Sequence, residues 1–279
     1  MARIALRMAL VVCVLASFAL ATAAVALPKP PNPCLDQEQR KRLRCPDLVM
    51  AKPFGLVLDA FVLPGHLVLR AGNSIDSVGR GPAELHGTRI SKYFMKGRQR
   101  IYKRAGGKIG INTGAHLFFK HVVGQTSYWK FHNAARFELW KRNAKGERAK
   151  LSRVGPKVSY CLRDLNRTHP RLPRSPRRRV YPACSTSSSV QRVTLGTSIG
   201  WSDVYPPSYP EQWIDVTGLR GCFDYVHIAD PRDRIYESNE RNNSAAVTIR
   251  LPFEPGPQDC PRKKSTVPAP PEEDRPPAY

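Results

Sequence analysis

An all-β fold, a sandwich-like body with long loops and disulfide staples, is what this sequence predicts. Beyond Pro46 the apolar runs are short and rich in β-branched and aromatic residues, and clusters of Gly, Pro and Asn separate them. Few windows hold a 3.6-residue apolar period over three turns, which argues against helices. The cysteines, once a leader is set aside, are even in number, as expected of an oxidised, exported chain.

Taken in order, the chain opens with Arg3 and Arg7, then an apolar run from Met8 to Ala26 that closes on Ala24-Val25-Ala26. Charge, apolar stretch and small-residue ending read as a secretory signal over residues 1–26, and so predict a secreted or extracytoplasmic protein. No other stretch is long and apolar enough to span a bilayer, so no stable membrane span is expected after cleavage. Residues 27–45 read as a Pro-rich linker followed by a short charged segment between Cys34 and Cys45. The body runs over 46–252. Its predicted strands centre on Leu56–Leu58, Leu67–Leu69, Ile109–Ile111, Leu117–Phe119, Phe137–Trp140, Val158–Tyr160 and Ala246–Leu251. In the last of these, Val247, Ile249 and Leu251 alternate with Ala246, Thr248 and Arg250, the period of two that gives a strand one apolar face. Between Phe131 and Trp140 the bulky residues follow a spacing that fits helix or strand. Residues 253–279, rich in Pro and mixed charge, read as an extended or disordered tail.

Cys13 would leave with the leader, and the remaining six cysteines allow fifteen pairings. Sequence neighbours, Cys34 with Cys45, Cys161 with Cys184 and Cys222 with Cys260, are the expectation. The absence of any C-x-x-C pair argues against a structural zinc site. Forty-five Lys and Arg against 22 Asp and Glu give a formal charge of +23, a field that draws polyanions and repels other polycations. It is densest at Arg171, Arg174, Arg177, Arg178 and Arg179, which read either as a docking arm for a polyanionic surface or glycan, or as a solvated mobile loop. Nucleic acid is disfavoured as a partner, because no recognition fold is visible and the expected compartment is outside the cell. Asn166 and Asn242 begin N-x-Ser/Thr sequons, of consequence only in a glycosylating host.

Two segments carry the chemistry: Gly155-Pro156-Lys157-Val158-Ser159-Tyr160-Cys161-Leu162-Arg163-Asp164, and Gly200-Trp201-Ser202-Asp203-Val204-Tyr205, which is followed by Gln212-Trp213-Ile214-Asp215-Val216-Thr217. With Cys45-Pro46-Asp47-Leu48-Val49 and Glu237-Ser238-Asn239-Glu240-Arg241-Asn242-Asn243, their order resembles a bacterial-type lysyl oxidase domain from about Pro46 to Pro252. That resemblance implies an amine oxidase in which Tyr205 becomes a quinone and Lys157 adds to its ring, giving a lysine tyrosylquinone. A quinone supplies the electron sink that protein side chains lack. Asp203, two residues before Tyr205, shares its side of an extended segment and is a candidate base.

The resemblance also implies copper, held by three alternating histidines in an H-x-H-W-H pattern. Matching Trp129 and counting back from Phe137-Glu138-Leu139 puts Thr126, Tyr128 and Lys130 at those positions. None is a good ligand for a cupric ion, and an ammonium at Lys130 repels one. His132 with His121 or His116 could form a shifted site, although His116 and His121, five apart on a continuous strand, face opposite ways. No confident metal ligand set follows.

Two functions therefore compete. One is a copper- and quinone-dependent oxidase converting primary amines, including peptidyl lysine, to aldehydes. The other is a copper-deficient, non-catalytic basic binding module of the cell surface or envelope. The missing imidazoles and the positive charge, adverse to lysine-rich substrates, favour the second. A hydrolase ranks a distant third, since no H-E-x-x-H motif occurs.

Overall fold

The computed structural model describes residues 29–157 and 159–261; the leader, and the tail beyond 261, lie outside the described residues. A short helix, α1 (Gln37–Arg42), occupies the charged segment between Cys34 and Cys45; Asp36 caps it by accepting from the Gln39 amide at 2.8 Å. The strands follow: β1 (Leu43–Arg44), β2 (Leu48–Met50), β3 (Phe54–Asp59), β4 (Val68–Ser77), β5 (Ala83–Arg89), β6 (Phe94–Lys103), β7 (Lys108–Ile111), β8 (His116–His121) and β9 (Ser127–His132). Past the midpoint come β10 (Ala135–Arg142), β11 (Arg148–Val154), β12 (Ser159–Tyr160), β13 (Arg192–Thr197), β14 (Ser202–Tyr205), β15 (Trp213–Asp215), β16 (Gly221–Ala229) and β17 (Ser244–Leu251).

Every strand pair is antiparallel, in three sheets. The first runs β12-β9-β8-β6-β5-β13, with β1 and β7 also on β6; the second runs β11-β10-β16-β17; in the third β2, β3, β14 and β15 all pair with β4. One apolar core joins them: Leu85 and Leu117 from the first sheet, Phe137 and Tyr225 from the second, Leu69 and Ile214 from the third. The all-β, disulfide-stapled architecture is thus as the sequence predicts.

Local sequence accounts for much of this. Along β6, Met95, Gly97, Gln99 and Ile101 are buried while Phe94, Lys96 and Arg98 face out, the alternation of a strand with one wet face. The ambiguous stretch Phe131–Trp140 is no single element. Asn133 takes a left-handed φ of 58°, a conformation Asn tolerates better than most residues, and there the chain leaves the first sheet for the second.

Disulfides join Cys34 to Cys45, Cys161 to Cys184 and Cys222 to Cys260, the sequence-neighbour pairing. The last ties the start of the Pro-rich tail to β16. Residues to Pro261 fold back with it: the Arg250 amide donates to Gln258 Oε1 at 2.7 Å, and Arg142 Nη2 to the Pro261 carbonyl at 2.9 Å. Among the described residues, no helix is long and apolar enough to cross a membrane.

Candidate functional site

Tyr205 ends β14, which lies antiparallel to β4 with Tyr205 opposite Asn73 and Asp203 opposite Ile75. Two residues apart on one strand, Asp203 and Tyr205 share a face, and both are buried. Lys157 arrives from the other direction, beyond β11. Gly155 allows its entry, because a Cβ there would stand 2.5 Å from the Trp213 carbonyl oxygen. Its amide donates to the Phe137 carbonyl at 2.9 Å, and the chain turns inward.

The Lys157 side chain is fully buried, and its Nζ lies 4.7 Å from the ring centroids of Tyr160 and Tyr205 and 4.1 Å from that of Tyr209. No acceptor among the described residues is within hydrogen-bond reach of this amine. Burial drives its pKa well below the ordinary lysine value, and the charge of Lys130 adds to the effect against Glu211 and Asp203. The amine is thereby biased toward its free, nucleophilic form beside a phenol ring. The three tyrosines pack edge to face, with Tyr205 4.9 Å from Tyr160 and 4.6 Å from Tyr209 between centroids. The Tyr205 hydroxyl points to the Cys161 carbonyl at 3.5 Å, and burial, then Asp203, raises its pKa well above that of free tyrosine.

Asp203 has neither carboxyl oxygen in a hydrogen bond among the described residues. Burial pushes it up to about 8, against opposing charges led by Arg163 and including Lys157 and Lys130. At neutral pH it is thus largely protonated, and a protonated carboxyl does not accept a proton. The candidate-base role needs that burial to be relieved.

Sequence reasoning did not single out the clamp beneath this cluster. Asn73 Nδ2 donates to the Tyr160 hydroxyl at 2.7 Å, and Gln212 Nε2 donates to Asn73 Oδ1 at 2.9 Å and to the Ala71 carbonyl at 3.1 Å. The Asn73 and Gln212 side chains are wholly buried. Asn73 is one polar residue among several in β4, so nothing local marks it out, and its partner is 139 positions away.

The positions matched to the histidine motif adjoin the same cluster. On β9, Tyr128 and Lys130 point to one side; the Tyr128 hydroxyl meets that of Tyr209, and Lys130 Nζ sits 5.2 Å from the Tyr128 ring centroid and 6.0 Å from that of Tyr209. Lys130 is buried, and desolvation pulls its pKa down to about 8. Thr126 is exposed in the turn before the strand and lines a cleft of about 230 Å³ that also reaches Tyr128, Tyr205, Tyr209, Arg163 and the Cys161–Cys184 bridge. Tyr205 is therefore approachable through that cleft.

His132 and His121 do not converge. His132 packs edge-on to Phe118, with ring centroids 5.1 Å apart and a buried Nδ1 that lacks a partner among the described residues. His121, exposed, contacts Ser127 Oγ at 3.3 Å across the β8–β9 hairpin. Ser127 and His132 end the same strand, so about 16 Å separates the two histidines at 3.3 Å per residue. Among the described residues, no three of His, Cys, Asp and Glu are grouped to hold a metal ion.

Hydroxyl, phenol and a buried ammonium form a poor donor set for a cupric ion, so the residues at the motif positions do not fit copper. The Lys157–Tyr205 pair does fit the covalent cofactor of the resemblance, being an amine of lowered basicity laid on a phenol ring. No curated protein matches the chain at a significant level. A family model described as lysyl oxidase matches residues 98–254, from β6 to just past β17, and so takes in Lys157, Asp203, Tyr205 and the Thr126–Lys130 segment. On that match the chain belongs to the lysyl oxidase family.

Proposed function

We propose that this protein is a lysyl oxidase-like scaffold without oxidase activity, exported from the cytoplasm and acting as a basic binding module for polyanionic partners. Lys130 carries the reading. A buried amine occupies a position to which the family's pattern gives a metal-binding imidazole, and it fills that position with charge of the sign a metal ion cannot tolerate. The net charge of +23 supports the choice of partner, since a field of that sign gathers polyanions and disfavours lysine-rich chains.

A second reading, a copper- and quinone-dependent oxidase of primary amines or peptidyl lysine, draws support from the Lys157 amine against Tyr205. Three measurements on the purified, oxidised protein separate the two. The scaffold reading expects well under one copper per chain, no coloured adduct with phenylhydrazine, and separate peptides for Lys157 and Tyr205 in mass mapping. Stoichiometric copper, or a bridged peptide pair, would overturn it. The triple variant T126H/Y128H/K130H tests the register, because a correctly matched motif should gain copper affinity when its imidazoles are restored.

A further inference from the structure

The arginine-rich loop and three other segments converge on a cleft of about 360 Å³ lined by Arg44, Arg80, Arg104 and Arg174. We propose that this cleft is a binding site for sulfated or phosphorylated groups of an acidic glycan. The inference rests on the basic-module reading above and assigns that reading a place on the surface.

Four arginines could gather by accident on so basic a chain, but here the backbone fixes each one. Gly79 and Gly81 let the β4–β5 turn lie directly on the Cys45–Asp47 backbone: a Cβ on Gly81 would stand 2.0 Å from the Arg44 carbonyl oxygen, and one on Gly79 2.4 Å from the Asp47 nitrogen. The amides of Arg80 and Gly81 donate to the Cys45 carbonyl at 2.9 and 3.1 Å, so Arg80 is presented from a pinned turn. Arg44 Nη2 donates to the Arg104 carbonyl and Arg104 Nε to the Leu43 carbonyl, each at 3.3 Å, which steers both guanidinium groups.

Arg174, with a left-handed φ of 66°, stands on a braced loop. Arg167 Nη2 spans it by donating to the carbonyls of Pro170 and Ser175 at 3.1 and 3.0 Å, and Trp201 Nε1 holds the Pro176 carbonyl at 2.9 Å. Of the two readings that the sequence leaves open for this loop, the bracing supports the docking arm over free motion.

The charge is uncommitted. Among the described residues none of the four arginines forms an ion pair, and Arg44 Nε is a buried donor without an acceptor. Guanidinium forks match tetrahedral oxyanions in bidentate fashion, and four around one cleft call for more than one negative charge. Arg44, Arg80 and Arg174 also border an adjoining cleft with Tyr102, Pro176 and the exposed Val180. A ligand that fits both carries anionic groups for the arginines and a flat, partly apolar face for this shelf, which describes a charged sugar better than a bare phosphate chain.

The test uses the full oxidised chain and three probes by calorimetry at 150 mM salt: a sulfated hexasaccharide, inorganic sulfate, and a single-stranded oligonucleotide of equal charge. R44Q/R80Q/R174Q should weaken the hexasaccharide at least tenfold and flatten the log affinity against log salt slope by about two to three, while the charge-matched K145Q/K150Q/R153Q changes affinity less than twofold. R80K/R174K keeps the charge and loses the forks; it should fold as the parent does and still weaken binding. Equal losses in the two triple variants would overturn the cleft and leave a diffuse basic module standing. No hexasaccharide binding by the parent would remove both readings, and an oligonucleotide bound as tightly as the sugar would replace the glycan with a generic polyanion.

Discussion

Asp203 and Lys130 make the residue-scale chemistry measurable. The Asp203 carboxyl, at about 8 in the folded chain against an ordinary 3.8, keeps its proton where the unfolded chain has lost it. Its contribution to stability is full below about pH 4 and is lost as pH climbs toward 8. D203N removes that loss, so urea midpoints at pH 4.5 and pH 8 should show the variant gaining on the parent by more than about 1 kcal/mol, one pKa unit being worth about 1.4 kcal/mol. A pH-independent difference would mean that the carboxyl is already ionised. Lys130 behaves oppositely: its folded value of about 8 lies below 10.5, so the folded chain is disfavoured while the unfolded lysine holds a proton it would rather keep. K130M, of similar length, should stabilise the protein by about 1–2 kcal/mol at pH 7, with the gain fading as pH approaches 10.5. A destabilised variant would show that the ammonium anchors its tyrosine neighbours. Lys157, Asp203 and Tyr205 were legible because each lies in a recognisable motif and a period of two aligns the last pair. Tyr160 lay inside the first of those motifs, but its clamp by Asn73 and Gln212 was not legible, since its hydrogen bonds span sheets and local sequence does not encode them.

Elements were legible where their faces differ. β17 announced itself by alternation and the start of β4 by the apolar run Leu67–Leu69, whereas the rest of β4 and all of β16 hid behind polar residues. Within β16, Asp224 is buried yet receives Arg142 at 2.6 Å and Arg148 at 2.9 Å, so a charge that argues against a core strand is neutralised from the side. β4 carries Arg70, Asn73, Ser74 and Ser77 inward because several strands of the third sheet converge on it. Register at the β4–β5 turn depends on glycine for space rather than for dihedral freedom. Gly81→Ala should therefore cost roughly 2–4 kcal/mol, read as a lowered melting temperature, because the contact it creates is with backbone that cannot rotate away. A shift below 0.5 kcal/mol would mean that this turn relaxes freely.

At the scale of the whole molecule, composition was the most direct guide: high charge, an even cysteine count beyond Cys13 and scarce helix periodicity led to a basic, oxidised, all-β protein. The disulfide loops enclose 11, 23 and 38 residues of separation. Loop-closure entropy assigns the longest about 4 kcal/mol, so C222A/C260A should lose up to that amount in a denaturant titration and release residues 253–261 to protease. An unchanged midpoint would show that Gln258 and Arg142 hold that segment unaided.

The bridges also follow one another along the chain without nesting or overlap. A polypeptide threaded N-terminus first into an oxidising space can seal each ring before the next cysteine pair emerges, so the thiol nearest at hand is at every stage the correct one. Maturation of this kind needs little reshuffling, whereas refolding of the whole reduced chain, in which Cys222 lies as far along the chain from Cys184 as from Cys260, should be hastened by an isomerase.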